Sequence, residues 1–194
     1  MADNNANAIR TTEQQRVKEI TDKLEEGLKE LFESEKYKSY LNTRPTNEKK
    51  KKVKKKLSEY LKRGKAIARP LAVTIKRVNE IVRGWINYFR IGMMKLFMEE
   101  LGEWLRHKIR VVIMKQWKRP KTIYRNLSYL NKKHKTGCNQ EEIFKVANSR
   151  LRWYRKCGMN VVNFIISKDL LENRIKDGAG LINPLSYYLV KVGI

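Results

Sequence analysis

The chain has only two cysteines in 194 residues, Cys138 and Cys157. Neither has a CxxC partner, so both are expected as reduced thiols in a cytoplasmic protein rather than as a disulfide framework. With His134 they could supply three metal ligands at most, at a spacing that matches no finger or knuckle. His107 stands in a basic helical run and reads as a polar surface residue. Acids are scarce as well, with 20 Asp and Glu against 44 Lys and Arg. No two aspartates are adjacent. Two-metal phosphoryl transfer needs clustered carboxylates, so neither a polymerase nor a nuclease centre is expected. No apolar run reaches the ~20 residues that span a bilayer, and the opening Met1-Ala2-Asp3-Asn4-Asn5 lacks the charged-then-apolar order of a signal peptide. No stretch alternates long enough to propose a sheet, so the expected fold is all-α.

What is abundant is positive charge. The formal net charge is +24. Residues 1–43 carry nine acids and seven bases, a net of −2, so residues 44–194 carry +26. A surplus of that size repels itself in a folded monomer and points to a polyanionic partner. Nucleic acid fits this better than an anionic membrane surface, and no membrane partner is expected.

Helical periodicity places this charge. Ile75, Val78, Val82, Trp85 and Phe89 recur at steps of three and four, with Ile81 and Ile86 widening the stripe. Lys76, Arg83, Asn87 and Arg90 fall on the opposite face. A second long helix is expected from Leu96 to Trp117. Its buried stripe is Phe97, Leu101, Trp104, Leu105, Ile109, Val112, Ile113 and Trp117, and the remainder holds Arg106, Lys108, Arg110 and Lys115, with Lys118 just beyond. Pro120 is expected to stop it. Before these, seven lysines lie within residues 49–56, around Val53, Leu57, Tyr60 and Leu61. Such a run can track phosphates without reading sequence.

Further helices are expected at Thr122–Leu130, at Gln140–Lys156 and after Ser167. A basic loop is expected at 132–137 and a turn at 178–180. In the stretch containing Arg150, Arg152, Trp153 and Arg155, rings among guanidiniums suit stacking on bases, and Trp153 reads equally well as a core anchor. At the other end, residues 1–10 are expected to be disordered. A helix from Thr12 to Leu41 carries Val17, Ile20, Leu24, Leu28 and Leu31, with Phe32 beside them, and Arg44-Pro45 ends it.

Two resemblances attach to these residues. The wording from Arg16 to Leu41 is similar to the first helix of ArdC-type antirestriction proteins of conjugative elements, where it opens a single-stranded-DNA-binding domain. That likeness covers about residues 12–42 only, and the expectation for it is an amphipathic helix packed on the remainder of the chain. From about Arg44 the chain resembles the C-terminal part of group II intron maturases. The matching words are Ile81-Val-Arg-Gly-Trp-Ile-Asn-Tyr-Phe-Arg90, Leu101-Gly-Glu-Trp-Leu-Arg106, Lys115-Gln-Trp-Lys-Arg-Pro-Lys-Thr122, Tyr124-Arg125-Asn-Leu127 and Ala147-Asn-Ser-Arg150 with Trp153.

The resemblance implies three segments. These are an ArdC-like helix fragment at 1–43, a maturase-specific thumb or X domain at 44–120, and a helical region like the family's DNA-binding region at 121–194. It implies an RNA-binding splicing factor fragment without the reverse-transcriptase palm, which would bind group II intron RNA and hold it in its splicing-competent shape. No cofactor is expected, magnesium entering only through the bound RNA. Target DNA and a separate reverse-transcriptase chain are the further expected partners. The RNA-binding set is expected to be Arg83, Asn87, Arg90, Arg106, Arg110, Lys115, Lys118, Arg119, Lys121 and Arg125, with Lys50, Lys51, Lys54, Lys55, Arg150, Arg152 and Trp153 as further nucleic-acid contacts. The alternative function is a DNA-binding accessory or antirestriction fragment of a mobile element, or the product of a decayed chimeric gene.

Overall fold

The computed structural model describes residues 2–35, 37–38, 45–173 and 180–193, and the backbone alone of residues 2–14, 63 and 173. Among the described residues every regular element is a helix and none is a strand, as expected of an all-α chain. The chain divides into two compact units, Met1–Arg44 and Pro45–Ile194.

The first unit contains α1 (Ala2–Glu33). The helix starts ten residues earlier than the apolar periodicity suggests, so the segment expected to be disordered is helical. Ala2, Ala6 and Ala8 are strong helix formers, and Asp3 lies where the macrodipole favours an acid. The stripe expected on this helix is exposed: Val17, Ile20, Leu24, Leu28, Leu31 and Phe32 are each between 51% and 63% accessible. α1 ends at Glu33 with a bend at Ser34, short of the expected end at Leu41, which itself lies outside the described residues.

In the second unit, Thr46 caps α2 (Asn47–Tyr60), its hydroxyl accepting from the Lys49 amide at 3.4 Å. Only Val53 and Leu57 of α2 are buried, which leaves the lysines to the outer faces. A π-helical turn, Arg63–Ile67, leads to Pro70 and α3 (Leu71–Phe89). The stripe of α3 goes inward, with Ile75, Val78, Val82 and Ile86 fully buried and Phe89 nearly so. After a short turn comes α4 (Lys95–Trp117), which buries Phe97, Met98, Leu101, Leu105, Ile109, Val112, Ile113 and Met114. The Trp85 ring lies 4.7 Å from Phe89 and 5.3 Å from Phe97, closing α3 onto the start of α4. The α3–α4 turn is clamped from outside, because a Cβ on Gly92 would meet Pro45 Cδ at 2.5 Å.

Pro120 does not merely end α4. It occupies the first turn of α5 (Pro120–His134), where its missing N–H costs nothing. This helix runs through Lys132, Lys133 and His134, the residues expected in a loop. As its last turn they place cations against the helix C-terminus, and Lys135 then leaves through the left-handed region at φ 49°. The Asn131 side chain ties down the chain beyond this turn, donating to the Cys138 carbonyl at 2.8 Å and accepting from the Cys138 amide at 3.2 Å.

The helix expected over Gln140–Lys156 is two helices, α6 (Gln140–Asn148) and α7 (Trp153–Cys157). Local side-chain bonds compete with the helix here. Asn148 Nδ2 donates to the Phe144 carbonyl at 3.0 Å, and Ser149 Oγ accepts from the Leu151 amide at 3.2 Å. Next come α8 (Asn160–Ile165), α9 (Lys168–Asn173) and α10 (Pro184–Val192). Asn183 caps α10 by accepting from the amides of Leu185 and Ser186. The turn expected at 178–180 lies outside the described residues except for Gly180. One continuous apolar core takes in side chains from α2 through α10, on both sides of the exposed Pro120.

Candidate nucleic-acid interface

The lysine run is arranged by the two apolar residues inside it. Burial of Val53 and Leu57 orients α2 so that Lys50 and Lys54 lie across the ring of Phe97, each with Nζ 5.3 Å from its centroid. Lys49 stands at the same distance over Phe89. Their stems cover aromatic surface while their ammonium groups stay toward water. Lys54 has a second neighbour, Glu100, at 3.7 Å. Lys51 and Lys55 are exposed. Between α2 and α3 runs a groove of about 480 Å³, floored by Ile81, Trp85 and Phe89 and edged by Lys52, Lys56 and Arg77. The acid in its lining, Glu80, is held by Arg77 at 2.7 Å.

On the outward side of α3, Arg83, Asn87 and Arg90 are all exposed. The C-terminal helix α10 adds Tyr187 beside two of them. Its hydroxyl donates to Asn87 Oδ1 at 3.2 Å, and its ring has the Arg83 guanidinium at 5.9 Å and Lys191 Nζ at 5.7 Å. Tyr187 has no sequence signal at this site, because it stands 100 positions from Asn87. Only the docking of α10 brings it there. Gly102 on α4 lies against it: a Cβ there would come 3.2 Å from Arg106 Nη1 and 3.3 Å from Pro184 Cδ, so these neighbours would have to give by a few tenths of an ångström.

The α4 arginines behave differently from expectation. Arg106 is mostly buried and faces Glu172 at 4.0 Å, too long for a hydrogen bond. Arg110, expected among the RNA contacts, is 9% exposed, and its Nε donates to the Ile166 carbonyl at 2.9 Å. Burial lowers its pKa, with Arg106 adding to the effect and Cys157 opposing it. Arg110 is an interior strut joining α4 to the end of α8, and it leaves the candidate set. Lys115 is half-buried, whereas Lys118, Arg119, Lys121 and Arg125 are exposed along the link into α5 and its first turns.

Arg150 and Arg152 are exposed in the break between α6 and α7. Trp153 is half-buried against the core, with Lys156 Nζ 5.5 Å from its centroid. Lys156 is itself buried and donates to the Ala147 carbonyl at 3.3 Å, and burial lowers its pKa. Nearby, the His107 ring meets Tyr154 at a tilt of 59° with centroids 4.1 Å apart, and its Nε2 is buried without a hydrogen-bond partner. Burial, Arg110 and Lys108 together hold its pKa below the usual histidine value, against a backbone hydrogen bond at Tyr154. His107 is therefore half-buried, with its ring against Tyr154, rather than fully displayed on the surface.

Burial pushes the Cys157 thiol up to about 12, although Arg110, Lys156 and Lys115 favour the thiolate. Because the thiolate is the reactive form, Cys157 is expected to resist a thiol reagent at pH 8 in the folded protein. A colorimetric thiol titration should therefore count no more than one cysteine, Cys138, before denaturation and two after it. Rapid native labelling of both would show that the α7 region opens. The raised pKa also sets a sign. The unfolded thiol ionises first, so this contribution to stability is complete below about pH 9 and declines as pH rises toward 12.

Among the described residues no three His, Cys, Asp or Glu side chains come close enough to hold a metal ion, so Cys138, Cys157 and His134 do not converge. No helix among those residues is long and apolar enough to cross a membrane. No curated protein matches the chain. Residues 50–130 match the model of one protein family, the maturase-specific domain of group II introns. The match runs from the lysine helix α2 to the later turns of α5 and leaves out residues 12–42, so the antirestriction likeness has no support from it. The segment carrying the lysine run, the outward face of α3 and the basic link into α5 is thus similar to a maturase-specific domain.

Proposed function

We propose that the protein binds group II intron RNA and assists its splicing as a non-enzymatic factor. The RNA performs the chemistry and brings any magnesium with it. The observation that carries this reading is an overlap. The segment matched to the maturase-specific domain, residues 50–130, also holds Lys51, Lys55, Arg83, Arg90, Lys118, Arg119, Lys121 and Arg125, all exposed on one unit with a large positive surplus. Exposed guanidinium and ammonium groups neutralise phosphates. Asn87 and Tyr187 add neutral hydrogen-bonding groups beside Arg83. Target DNA and a separate reverse-transcriptase chain are further partners in this proposal.

The decisive experiment is splicing of the cognate intron in vitro with and without the protein, at a magnesium concentration where the RNA alone splices slowly. Acceleration is the expected result. Competition binding with intron RNA, duplex DNA and single-stranded DNA at matched salt separates this reading from a DNA-binding accessory. Equal affinity for all three would defeat the intron proposal. Within the interface, the triple variant Arg83→Ala, Asn87→Ala, Arg90→Ala is expected to weaken RNA binding and to reduce the salt slope by about two, one for each lost cation. All three side chains are exposed, so the circular dichroism spectrum should not change. A loss of helix content would show that this face supports the fold instead.

A further inference from the structure

A second groove, which takes in Lys121 and Arg125 of the basic link, has a composition unlike a simple phosphate track. It occupies about 710 Å³ between α5 and the start of α6 and includes Lys121, Tyr124, Arg125, Tyr129, Lys132 and Gln140. That volume is within the usual range for small-ligand sites of roughly 300–1,000 Å³. Its lining has three cations and no acid. The tyrosines are held in place by specific contacts. The Tyr124 hydroxyl and Ser128 Oγ both bond to Gln140 Oε1, at 3.4 and 2.9 Å. The Tyr124 ring meets Phe144 edge-on with centroids 6.0 Å apart. Tyr129 has Lys133 Nζ 5.6 Å from its centroid and remains 60% exposed, and Phe144 is 58% exposed.

Exposed rings cost free energy in water unless something covers them, and here they stand among cations. Two such groups together fit a nucleotide, with an aromatic face for the base and a phosphate on each side. A paired base has both faces occupied by its neighbours and cannot offer one to tyrosine without unstacking. We propose that this groove holds an unpaired nucleotide of the bound RNA, its base against Tyr124 and Tyr129 and its phosphates on Lys121, Arg125 and Lys132. Gln140, whose oxygen is already engaged, turns its amide N–H groups toward an acceptor on the base edge. The inference rests on the RNA-binding reading above and extends it from phosphate contact to recognition of single strands.

The test uses the full chain and two fluorescent probes, an eight-nucleotide oligouridylate and a blunt, fully paired RNA duplex with no unpaired nucleotide. Tyr129→Ala is expected to weaken oligouridylate binding by roughly five- to a hundred-fold, the range for loss of one stacked base, and to change duplex binding less than about twofold. Tyr129→Phe, which keeps the ring, should bind both probes as the parent does. Because Tyr129 is largely exposed, the thermal midpoint should not move. Equal weakening of both probes, or no weakening of oligouridylate, would overturn the proposal. The intron reading fails independently. If splicing is not accelerated but Tyr129→Ala still loses oligouridylate, the pocket stands and the intron assignment falls.

Discussion

Raising monovalent salt from 50 to 200 mM is expected to lower the affinity for intron RNA by roughly 10³–10⁵, the loss that accompanies about 6–10 phosphate contacts. The number of contacts comes from placement rather than composition. Of the 44 lysines and arginines, many are spread over faces that one RNA surface cannot reach together. Eight expected contacts remain exposed in the matched segment, namely Lys51, Lys55, Arg83, Arg90, Lys118, Arg119, Lys121 and Arg125. Arg110 is excluded because its guanidinium is already bonded to Ile166 inside the fold. Lys54 contributes less because Glu100 stands beside it. Fluorescence anisotropy across a salt series gives the slope of log affinity against log salt directly. A slope shallower than about two would mean that only a couple of these cations meet phosphate, and the interface would have to be sought elsewhere. Substituting Lys51 and Lys55 together should reduce the slope without altering the fold, since neither side chain enters the core.

The two long helices were legible because their apolar residues repeat at helical spacing over five turns or more. Ile75, Val78, Val82 and Ile86 on α3, and Leu101, Leu105 and Ile109 on α4, are all fully buried. Arg110 was misread for a reason the same arithmetic cannot supply. α4 is packed against α10, α7, α5 and the π-helical turn, so it is wrapped on more than one side. A residue off the apolar stripe can then still be interior, provided its polar head finds a carbonyl. Lys156 is buried and His107 half-buried by the same crowding around α7. The break after Asn148 depends on two side-chain hydrogen bonds that no apolar period reports. In α1 the apolar spacing from Val17 to Phe32 falls on a helix, but its side chains are exposed rather than packed as expected, and the spacing says nothing about where the helix begins, since residues 2–7 contribute propensity and no pattern. Tyr187 and the Tyr124–Tyr129 groove required the tertiary structure, because their neighbours come from distant parts of the chain or from the next helix.

Asn79→Ala is expected to cost about 2–5 kcal/mol, more than any substitution on the basic surface. Asn79 is a polar residue inside the apolar stripe of α3 and is only 6% exposed. Its side chain bridges to a segment about 100 residues later, with Nδ2 donating to the Gly180 carbonyl at 2.8 Å and Oδ1 accepting from the Ile182 amide at 2.9 Å. Alanine removes both bonds and leaves a part-buried carbonyl and a part-buried amide without a partner, each costing up to about 1–3 kcal/mol where water does not reach it. Leucine fills the space but strands the same two groups, so it should not rescue stability. The consequence reaches the interface. Leu181 and Ile182 lead directly into Asn183, which caps α10, and α10 carries Tyr187 to Asn87 and Arg83. Urea unfolding of Asn79→Ala should therefore show a lower midpoint, and hydrogen exchange should show faster opening of α10 than of α5. If α10 stays as protected as in the parent, its anchoring comes from the Gly102–Pro184 contact and from Tyr188, whose hydroxyl donates to the Gly92 carbonyl at 2.8 Å, rather than from Asn79.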